Sequence, residues 1–352
     1  MKSIDCRELL RLVEIVSDSK AILIGRSFTI DGFAQRLVRV VTHAHSDHVL
    51  GLKDSIMYSN YIVATPATHE LLYTLGYIGG ANYRRLYEFK KIEMNYYEKR
   101  EFDDETIILL PTTHILGSAQ VLIDTDGYRI GYTSDFKLGD NTVYIKQPDI
   151  LVIEATYGHP VYRRRFKHDV PDLLIDLINE GFKRYGRVVI YGYHGKLQEV
   201  MRIIREKGVE EPFILTKKIY AITQIAEKYG WRIGNYYLST SREAKEIICS
   251  KQKHIFFDHM VKAKYRRIDG SVLNIVLSGH EYNEPVKKID EYTWLAALSD
   301  HADFDELIEY IENSQPRIIV VDGSREGYPH IFAQELRRLG WNAVVLPFKR
   351  NG

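Results

Sequence analysis

The sequence contains only two cysteines, Cys6 and Cys249, which excludes a disulfide framework and a cysteine-rich metal site. No apolar run approaches the roughly 20 residues that a membrane-spanning helix needs. Residues 1–5 lack the charged-then-apolar layout of a secretory signal. We therefore expect a cytoplasmic protein without membrane association. If the protein binds metal ions, histidine and carboxylate side chains must supply the ligands.

An excess of charge of one sign is also missing, because 48 Lys and Arg residues are balanced by 47 Asp and Glu residues. A surface that binds nucleic acid would therefore have to be a local patch and not a property of the whole chain. The chain has 352 residues, of which 45% are hydrophobic and 27% charged. This composition is typical of a globular protein of about two domains.

Strand-like and helix-like segments alternate along the whole chain, which predicts α/β architecture. Short apolar runs at Leu37–Thr42, Ile107–Thr112 and Ile150–Ile153 are each followed by polar residues. Asp126-Gly127, between two further runs, predicts a β-hairpin. Because loops that follow strands commonly carry functional residues, the polar residues at these strand ends are the candidates for a site.

Two amphipathic helices are predicted in the second half of the chain. Asp169–Arg184 carries apolar residues at helical spacing and is closed by Tyr185-Gly186. A second helix is predicted from the spacing of Phe304, Leu307 and Ile311.

The densest group of polar residues is the run His43–His48, which reads His-Ala-His-Ser-Asp-His. His43 and His45, two residues apart at a strand end, can point to the same side and bind one metal ion. Asp47 and His48 follow in the turn and can reach a second ion. A polar turn with surface histidines would account for a single one of these residues. Several imidazoles and a carboxylate within so short a run instead indicate a metal site.

Three further candidate ligands are His114, Asp135 and His301. Taken alone, each histidine could equally be a hydrogen-bonded structural residue. Together with the first run they would complete a site for two ions, with the Asp135 carboxylate able to bridge them. Imidazole and carboxylate ligands suit zinc, and manganese and iron are compatible with the same ligand types.

These motifs resemble those of the metallo-β-lactamase superfamily, and specifically of its β-CASP nucleases. The metal motifs are the run His43–His48, His114 before Gly117-Ser118, and Asp135. The first and last β-CASP motifs are Glu154–Gly158 and Ser299–Asp303. The stretch from His114 to Val121 is most similar to DNA-ligase-associated exonucleases, and archaeal relatives of RNA 3′-end processing factors share most of the motifs. The resemblance covers residues 21–347 and is weakest over 200–275.

The resemblance implies an αββα sandwich interrupted by an inserted β-CASP α/β domain. The metallo-β-lactamase domain would comprise residues 1–185 and 286–352, and the inserted domain residues 186–285. The resemblance also implies two bound Zn²⁺ ions, with Mn²⁺ as the alternative, and phosphodiester hydrolysis that leaves a 5′-phosphate.

A role for each candidate residue follows from the same resemblance. One ion would be held by His43, His45 and His114, the other by Asp47, His48 and His301, with Asp135 between them. Asp31 would brace the ligands, and Glu154 would orient His301 or His280 from outside the ligand set.

His280 is the ambiguous residue among the catalytic candidates. RNA-acting members carry a histidine near this place that assists proton transfer, whereas a bulky aromatic residue is expected in the ligase-associated branch. A structural role for His280 is an equal alternative.

Substrate phosphates need hydrogen-bond donors or positive charge, and several candidates lie beside the motifs. These candidates are Gly117, Ser118, Lys137, Tyr157, Arg163, Arg164, Arg165 and Lys196. The basic run that follows the Glu154 motif could equally be a solvated loop before a helix. The same ambiguity applies to Lys262, Lys264, Arg266 and Arg267.

We therefore expect a nuclease, with a DNA exonuclease of DNA repair as the first interpretation and an RNA-processing nuclease as the second. The resemblance implies a DNA ligase or a helicase as a protein partner. A small-molecule metallo-hydrolase is a different class, disfavoured by the Glu154 motif and the insertion. A catalytically inactive scaffold is disfavoured because the set of ligand motifs is complete.

Overall fold

The protein is described here by a computed structural model that covers residues 6–263 and 271–348. The chain forms two compact units, of which the first comprises residues 1–163 and 301–352 and the second residues 164–300. The second unit is therefore an insertion in the sequence of the first. Lys264, Arg266 and Arg267 lie outside the described residues.

The first unit contains a six-stranded and a seven-stranded β-sheet. The strands of the first sheet lie side by side in chain order: β1 (Val13–Ile15), β2 (Ile22–Ile24), β3 (Phe28–Ile30), β4 (Val38–Val40), β5 (Tyr61–Ala64) and β6 (Lys91–Glu93). The second sheet consists of β7 (Lys99–Phe102), β8 (Glu105–Pro111), β9 (Ala119–Thr125), β10 (Tyr128–Tyr132), β11 (Ile150–Ile153), β19 (Ile318–Asp322) and β20 (Ala343–Leu346). Its spatial order is β20-β19-β11-β10-β9-β8-β7.

The two sheets of the first unit pack face to face because each carries a row of branched apolar residues. Val38 and Val40 of β4 share one buried core with Val121 of β9 and Val152 of β11. Removing such side chains from water is the main stabilisation of a sandwich, at about 25 cal/mol per Å² of apolar surface.

The described part of the first unit contains six α-helices. These helices are α1 (Cys6–Leu9), α2 (Leu52–Tyr58), α3 (Pro66–Leu75), α4 (Ala81–Lys90), α10 (Phe304–Ser314) and α11 (Pro329–Arg338). A 3₁₀ turn, Leu10–Leu12, follows α1. α4 contacts β5 of the first sheet, and α10 and α11 form a second core with the outer face of the second sheet. The expected αββα sandwich is therefore confirmed.

The second unit is an α/β unit around one seven-stranded sheet. Its strands are β12 (Arg187–Gly192), β13 (Phe213–Leu215), β14 (Tyr236–Leu238), β15 (His254–His259), β16 (Leu273–Leu277), β17 (Val286–Lys288) and β18 (Thr293–Ala296), in the order β14-β13-β15-β12-β16-β18-β17. Its helices are α5 (Val170–Tyr185), α6 (Lys196–Glu206), α7 (Lys217–Lys228), α8 (Arg242–Cys249) and α9 (Met260–Ala263). All neighbouring strands are parallel except β17.

The bounds of the compact units differ from the division at residues 186 and 285. α5 belongs to the second unit because it packs on β12, β16 and β17. The domain division made from the sequence stays a prediction. None of the helices within residues 6–263 and 271–348 has both the length and the apolar character that crossing a bilayer requires.

Local sequence signals account for several elements of the fold. Asp126 and Gly127 both have positive φ and join β9 to β10 in the predicted hairpin. The predicted second helix is α10, where Asp303 accepts a hydrogen bond from the Glu306 N–H at 3.0 Å and the Glu306 carboxylate accepts one from the Asp303 N–H at 2.9 Å. This reciprocal cap satisfies two N–H groups that the first helical turn would leave open.

Glu105 is a fully buried carboxylate that ties the second sheet to the turn before β3. It accepts hydrogen bonds from the N–H groups of Arg26 (2.9 Å) and Ser27 (2.8 Å) and from the Thr125 hydroxyl. Gly25 has a φ of +60°, and a Cβ there would lie 2.0 Å from a Glu105 carboxylate oxygen. Only glycine therefore allows this approach of the turn to the carboxylate.

We predict that Glu105→Ala lowers the free energy of unfolding by about 3 kcal/mol, because three donors, two of them buried, lose their acceptor. Glu105→Gln, which keeps one acceptor oxygen, should lose less. Urea denaturation measures both changes, with Glu101→Ala as the control because Glu101 is exposed on neighbouring β7. Equal stability of Glu105→Ala and Glu101→Ala would show that the buried carboxylate is not structural.

Candidate metal centre

The candidate site lies where several strand ends of the first unit meet. β10, β11 and β19 are parallel neighbours, and β8 runs in the same direction because β9 is antiparallel to both β8 and β10. The loops that follow these strands therefore emerge at one edge of the second sheet. They carry His114, Asp135 and Glu154. The His43–His48 loop follows β4 of the facing sheet, and the Ala119 N–H donates to the Thr42 carbonyl at 3.0 Å.

Three imidazoles and the Asp135 carboxylate form the first cluster of ligand-type side chains. One ligand atom from each of His43, His45, His114 and Asp135 lies within 4.8 Å of the others. The Nε2 atoms of His43 and His114 are each 3.8 Å from Asp135 Oδ2, and His114 Nε2 is 3.0 Å from His45 Nδ1. The cluster thus presents nitrogen atoms toward one carboxylate.

The same carboxylate belongs to two further clusters. His48 Nε2 lies 3.1 Å from Asp135 Oδ2 and 3.3 Å from Asp47 Oδ2. Asp135 also groups with Glu154 and His301. The structure thus brings together all seven side chains that the sequence indicated as ligands. Asp135 lies at the centre of this arrangement.

The donor set of these clusters fits a divalent cation. The Nε2 atom of His43 is buried and, among the described residues, has no hydrogen-bond partner. A buried polar atom without a partner is costly, and a bound cation would remove that cost. Burial, together with the positive charge that His48 and His114 can carry, lowers the pKa of His43 well below its usual value. His43 is therefore neutral, which is the form that binds metal.

Asp31 contacts Thr42 and His48 beside the clusters, and the bracing role expected of it stays a prediction. It is fully buried, and its carboxylate accepts hydrogen bonds from the Thr42 N–H (2.8 Å) and hydroxyl (2.6 Å). His48 Nδ1 lies 2.8 Å from the same carboxylate, so His48 donates through Nδ1 and presents Nε2 to the cluster. Asp31 and Ser134 have φ values of +54° and +56°. Such left-handed backbone at non-glycine residues is concentrated at functional sites.

His301 is oriented by Glu154. His301 Nδ1 lies 3.1 Å from one Glu154 carboxylate oxygen and 3.3 Å from the other, and one of these oxygens also accepts from the Phe136 N–H at 2.9 Å. Burial lowers the pKa of His301, but the Glu154 and Asp135 carboxylates outweigh it and raise the pKa to about 10. Without a cation, His301 is therefore protonated at neutral pH.

Comparison with known proteins relates this site to nucleic-acid enzymes. An uncharacterized protein in the lig 3′ region of Acidianus ambivalens is 41% identical over 138 residues, which are 39% of this chain and 98% of that protein. A probable DNA ligase of Opitutus terrae is 29% identical over 321 residues, 87% of this chain and 28% of the ligase. An RNase J-like protein of Methanocaldococcus jannaschii is 29% identical over 183 residues, 47% of this chain and 42% of that protein.

The chain belongs to the β-CASP family of metallo-β-lactamase-fold nucleases. It spans less than half the length of the ligase and of the RNase J-like relative. No family model matches it. A solved structure of a protein of unknown function from Enterococcus faecalis has the same fold, with a TM-score of 0.59 at 15% identity over 89% of this chain and 79% of that one.

Several residues expected to bind phosphate have other contacts in this β-CASP chain. Arg164 is buried, donates to the Gly279 carbonyl at 2.5 Å and lies over the Tyr282 ring. Lys196 is buried with its Nζ 3.4 Å from Asp300 Oδ2. Both positive charges therefore serve the interior of the second unit, which sequence reasoning did not anticipate because burial depends on tertiary packing.

Arg163 and Ser118 are also engaged within the first unit. Arg163 donates to Asp305 at 2.7 Å and lies over the Phe304 ring. The Ser118 N–H donates to the Ile115 carbonyl at 3.1 Å, and its hydroxyl accepts from the Ile115 N–H at 3.1 Å. These two groups close the turn that contains Gly117, whose φ is +79°.

The remaining candidates are placed as follows. Arg165 and His280 are exposed, Lys137 is half-buried beside Thr113, and Tyr157 is buried with its ring 6.0 Å from that of His301. Their roles in substrate binding or proton transfer stay predictions.

Sequence reasoning missed two arginines that support the site. Arg325 donates to Asp322 at 2.7 Å and to the Asp31 carbonyl at 3.3 Å, and its Nε lies 3.7 Å from Asp47 Oδ2. Arg39 is fully buried and donates to the His48 carbonyl at 3.0 Å. Burial lowers the pKa of Arg39 to about 10, so it remains charged at neutral pH. The one available signal was that Arg325 follows closely on the apolar run Ile318–Val321.

We predict that Asp31→Asn weakens metal binding by about 10- to 100-fold, because His48 loses the carboxylate that orients its ring. Asparagine tolerates the left-handed backbone at this position, so the fold should be retained. The affinity is measured by competition with a chromogenic chelator. Asp18→Asn, an exposed control, should bind metal like the wild type. Unchanged affinity in Asp31→Asn would refute the bracing role.

Proposed function

We propose that the protein is a phosphodiesterase that uses two Zn²⁺ ions to hydrolyse nucleic acid, and specifically a DNA exonuclease that leaves 5′-phosphate products. The observation that carries this proposal is the convergence of imidazole and carboxylate side chains on Asp135, with the buried Nε2 atom of His43 lacking a hydrogen-bond partner in the described part of the chain. Membership in the β-CASP nuclease family supports phosphodiester hydrolysis over other metal-dependent hydrolysis.

Each cluster has a role in this proposal. One cation would be held by His43, His45, His114 and Asp135, and the other by Asp47, His48 and Asp135. Two cations at this site would supply a nucleophile at neutral pH and neutralise charge on the phosphate. Neighbouring residues orient the imidazole ligands. Asp31 accepts a hydrogen bond from His48 Nδ1, and the Thr42 and Ser134 hydroxyls lie 3.1 and 3.3 Å from His43 Nδ1.

His301 has a separate role in this proposal. It groups with Asp135 and Glu154 rather than with Asp47 and His48. Because Glu154 engages Nδ1, Nε2 is the nitrogen that serves the reaction. We propose that His301 gives a proton to the leaving 3′-oxygen, with Glu154 as the positioning residue, and that the expected ligand role is the alternative for experiment to test.

The DNA substrate is supported by the printed names of two relatives of the chain. One is named for its place in the lig 3′ region and another is a probable DNA ligase. These names also support a DNA ligase as the functional partner, in the cytoplasm, where a chain with two cysteines stays reduced.

RNA is the second candidate substrate. It is supported by the RNase J-like relative and by the presence of His280, since RNA-acting members of the family carry a histidine near this place in the sequence. Matched 5′-labelled DNA and RNA strands, digested in parallel by metal-supplemented protein, separate the two candidates. Preferential cleavage of RNA would replace the DNA proposal.

We predict that Asp135→Asn abolishes nucleic-acid cleavage while the unfolding transition is retained, because each of the ligand clusters loses the carboxylate that it shares. Cleavage of a labelled single strand is compared with that of Asp140→Asn, an exposed control five residues away. Wild-type rates in Asp135→Asn would contradict the assigned role.

His301→Ala is expected to lower kcat at least about 100-fold without loss of bound metal, as removal of a proton donor does. A phosphodiester with a p-nitrophenolate leaving group needs no proton there, so it should be cleaved at nearly the wild-type rate. Metal content is measured by mass spectrometry after gel filtration. The loss of one metal equivalent in His301→Ala would instead establish it as a ligand.

A further inference from the structure

A series of aromatic rings leads away from His301 within the first unit. The Tyr157 ring lies 6.0 Å from the His301 ring, Tyr162 lies 5.8 Å from Tyr157, and Tyr328 lies 4.8 Å from Tyr162. His159 lies beside the outer pair, 5.9 Å from Tyr162 and 5.8 Å from Tyr328. These four residues, Tyr157, His159, Tyr162 and Tyr328, are called the aromatic series below.

Backbone contacts hold the aromatic series in place. The Tyr328 N–H donates to the Ala155 carbonyl at 2.8 Å, and the Phe304 N–H donates to the Tyr162 carbonyl at 3.0 Å. A Cβ at Gly327 would lie 2.3 Å from the Ala155 carbonyl oxygen, so glycine is required for this approach. The Tyr162 and Tyr328 hydroxyls form a hydrogen bond. Three distant segments of the chain are thus fixed against one another next to His301.

The exposure of the aromatic series increases with distance from His301. Tyr157 is 4% exposed, Tyr162 and His159 are half-buried, and Tyr328 is 37% exposed. The two main hydrophobic cores of the described first unit are built from other residues. Packing of those cores therefore does not account for the firm placement of the outer rings at the surface.

Aromatic rings at a surface next to a phosphodiester site suit one ligand in particular. Unpaired bases stack on tyrosine and histidine rings regardless of their sequence, since every base has a π-face. An alternative occupant, an apolar peptide, would gain no advantage from lying next to the reaction centre. Arg163 follows Tyr162 in the sequence, and its guanidinium lies over the Phe304 ring and pairs with Asp305. Base stacking on the aromatic series does not require this positive charge.

We propose that the outer rings of the aromatic series, His159, Tyr162 and Tyr328, form a stacking surface for unpaired bases of the substrate strand at the exterior of the first unit, with buried Tyr157 packed between this surface and His301. This inference rests on the proposed nuclease function and adds that the substrate is single-stranded where it meets Tyr162 and Tyr328. Paired bases present only their edges and would gain nothing from the series. The stacking surface should strengthen binding of a single strand without selecting a base sequence.

The test compares the KM of the metal-supplemented full chain for a labelled single strand of mixed sequence. We expect Tyr328→Ala to raise KM about tenfold, the effect of losing one base–aromatic stack. Tyr328→Phe keeps the ring and should stay within about twofold of wild type, although it lacks the hydroxyl bonded to Tyr162. Phe89→Ala removes another exposed aromatic ring, 88% exposed on α4, and serves as the control. Thermal unfolding of each variant checks that the fold is retained.

A second arm replaces single bases of the strand by abasic positions. If a base stacks on Tyr328, one abasic position should raise the wild-type KM and leave that of Tyr328→Ala unchanged. Equal KM values for Tyr328→Ala and Phe89→Ala, or equal losses in Tyr328→Phe and Tyr328→Ala, would overturn the stacking surface while leaving the proposed function intact. Absence of any nucleic-acid cleavage by the wild type would instead reject the proposed function, and the stacking surface with it.

Discussion

The structure depends on one carboxylate being surrounded by imidazoles from separate loops. Asp135 Oδ2 lies 3.1 to 3.8 Å from nitrogens of His43, His48 and His114. Burial raises the pKa of the Asp135 carboxyl, but the positive charge of His48 and His301 outweighs this and keeps the pKa well below its usual value. A permanently charged, buried acceptor at this position organises the ring nitrogens around it. These side chains are of the imidazole and carboxylate types that divalent cations bind.

The fold of the first unit produces this arrangement because loops that follow strands of both sheets meet at the same place. Asp31 and Thr42 lie beside the ligand-type side chains that the first sheet supplies. Ser134 and Glu154 lie beside those that the second sheet supplies. The left-handed backbone at Asp31 and Ser134 shows where the chain adopts an unfavourable conformation to aim these side chains. Every side chain that groups with Asp135 belongs to the first unit, although the second unit interrupts its sequence just before His301.

Local sequence patterns were enough to predict the elements that local physics determines. Asp126-Gly127 closes a hairpin because both residues adopt positive φ, and Asp303 starts α10 because its side chain caps the helix. The ligand run His43–His48 was recognisable because a polar surface turn rarely holds so many imidazoles. The positions of Asp135 and Glu154 followed from their place after predicted strands.

Features that arise from tertiary packing could not be read from the sequence. Arg164 and Lys196 looked like surface charges beside a motif, yet both are buried against partners more than 100 residues away. Arg325 contacts Asp31 and Asp47, which lie far away in the sequence, and buried Arg39 donates to the nearby His48 carbonyl. These contacts depend on how the segments pack. The aromatic series likewise exists only because the loop at Gly327 packs against Ala155.

Anomalous diffraction from crystals of the metal-supplemented protein, recorded on both sides of the zinc absorption edge, tests the central claim most directly. Two peaks are predicted, one within about 2.0–2.2 Å of nitrogens of His43, His45 and His114, and one equally close to Asp47 and His48, with Asp135 in contact with both. Peaks located elsewhere, or a folded protein that binds no cation among these side chains, would contradict the account.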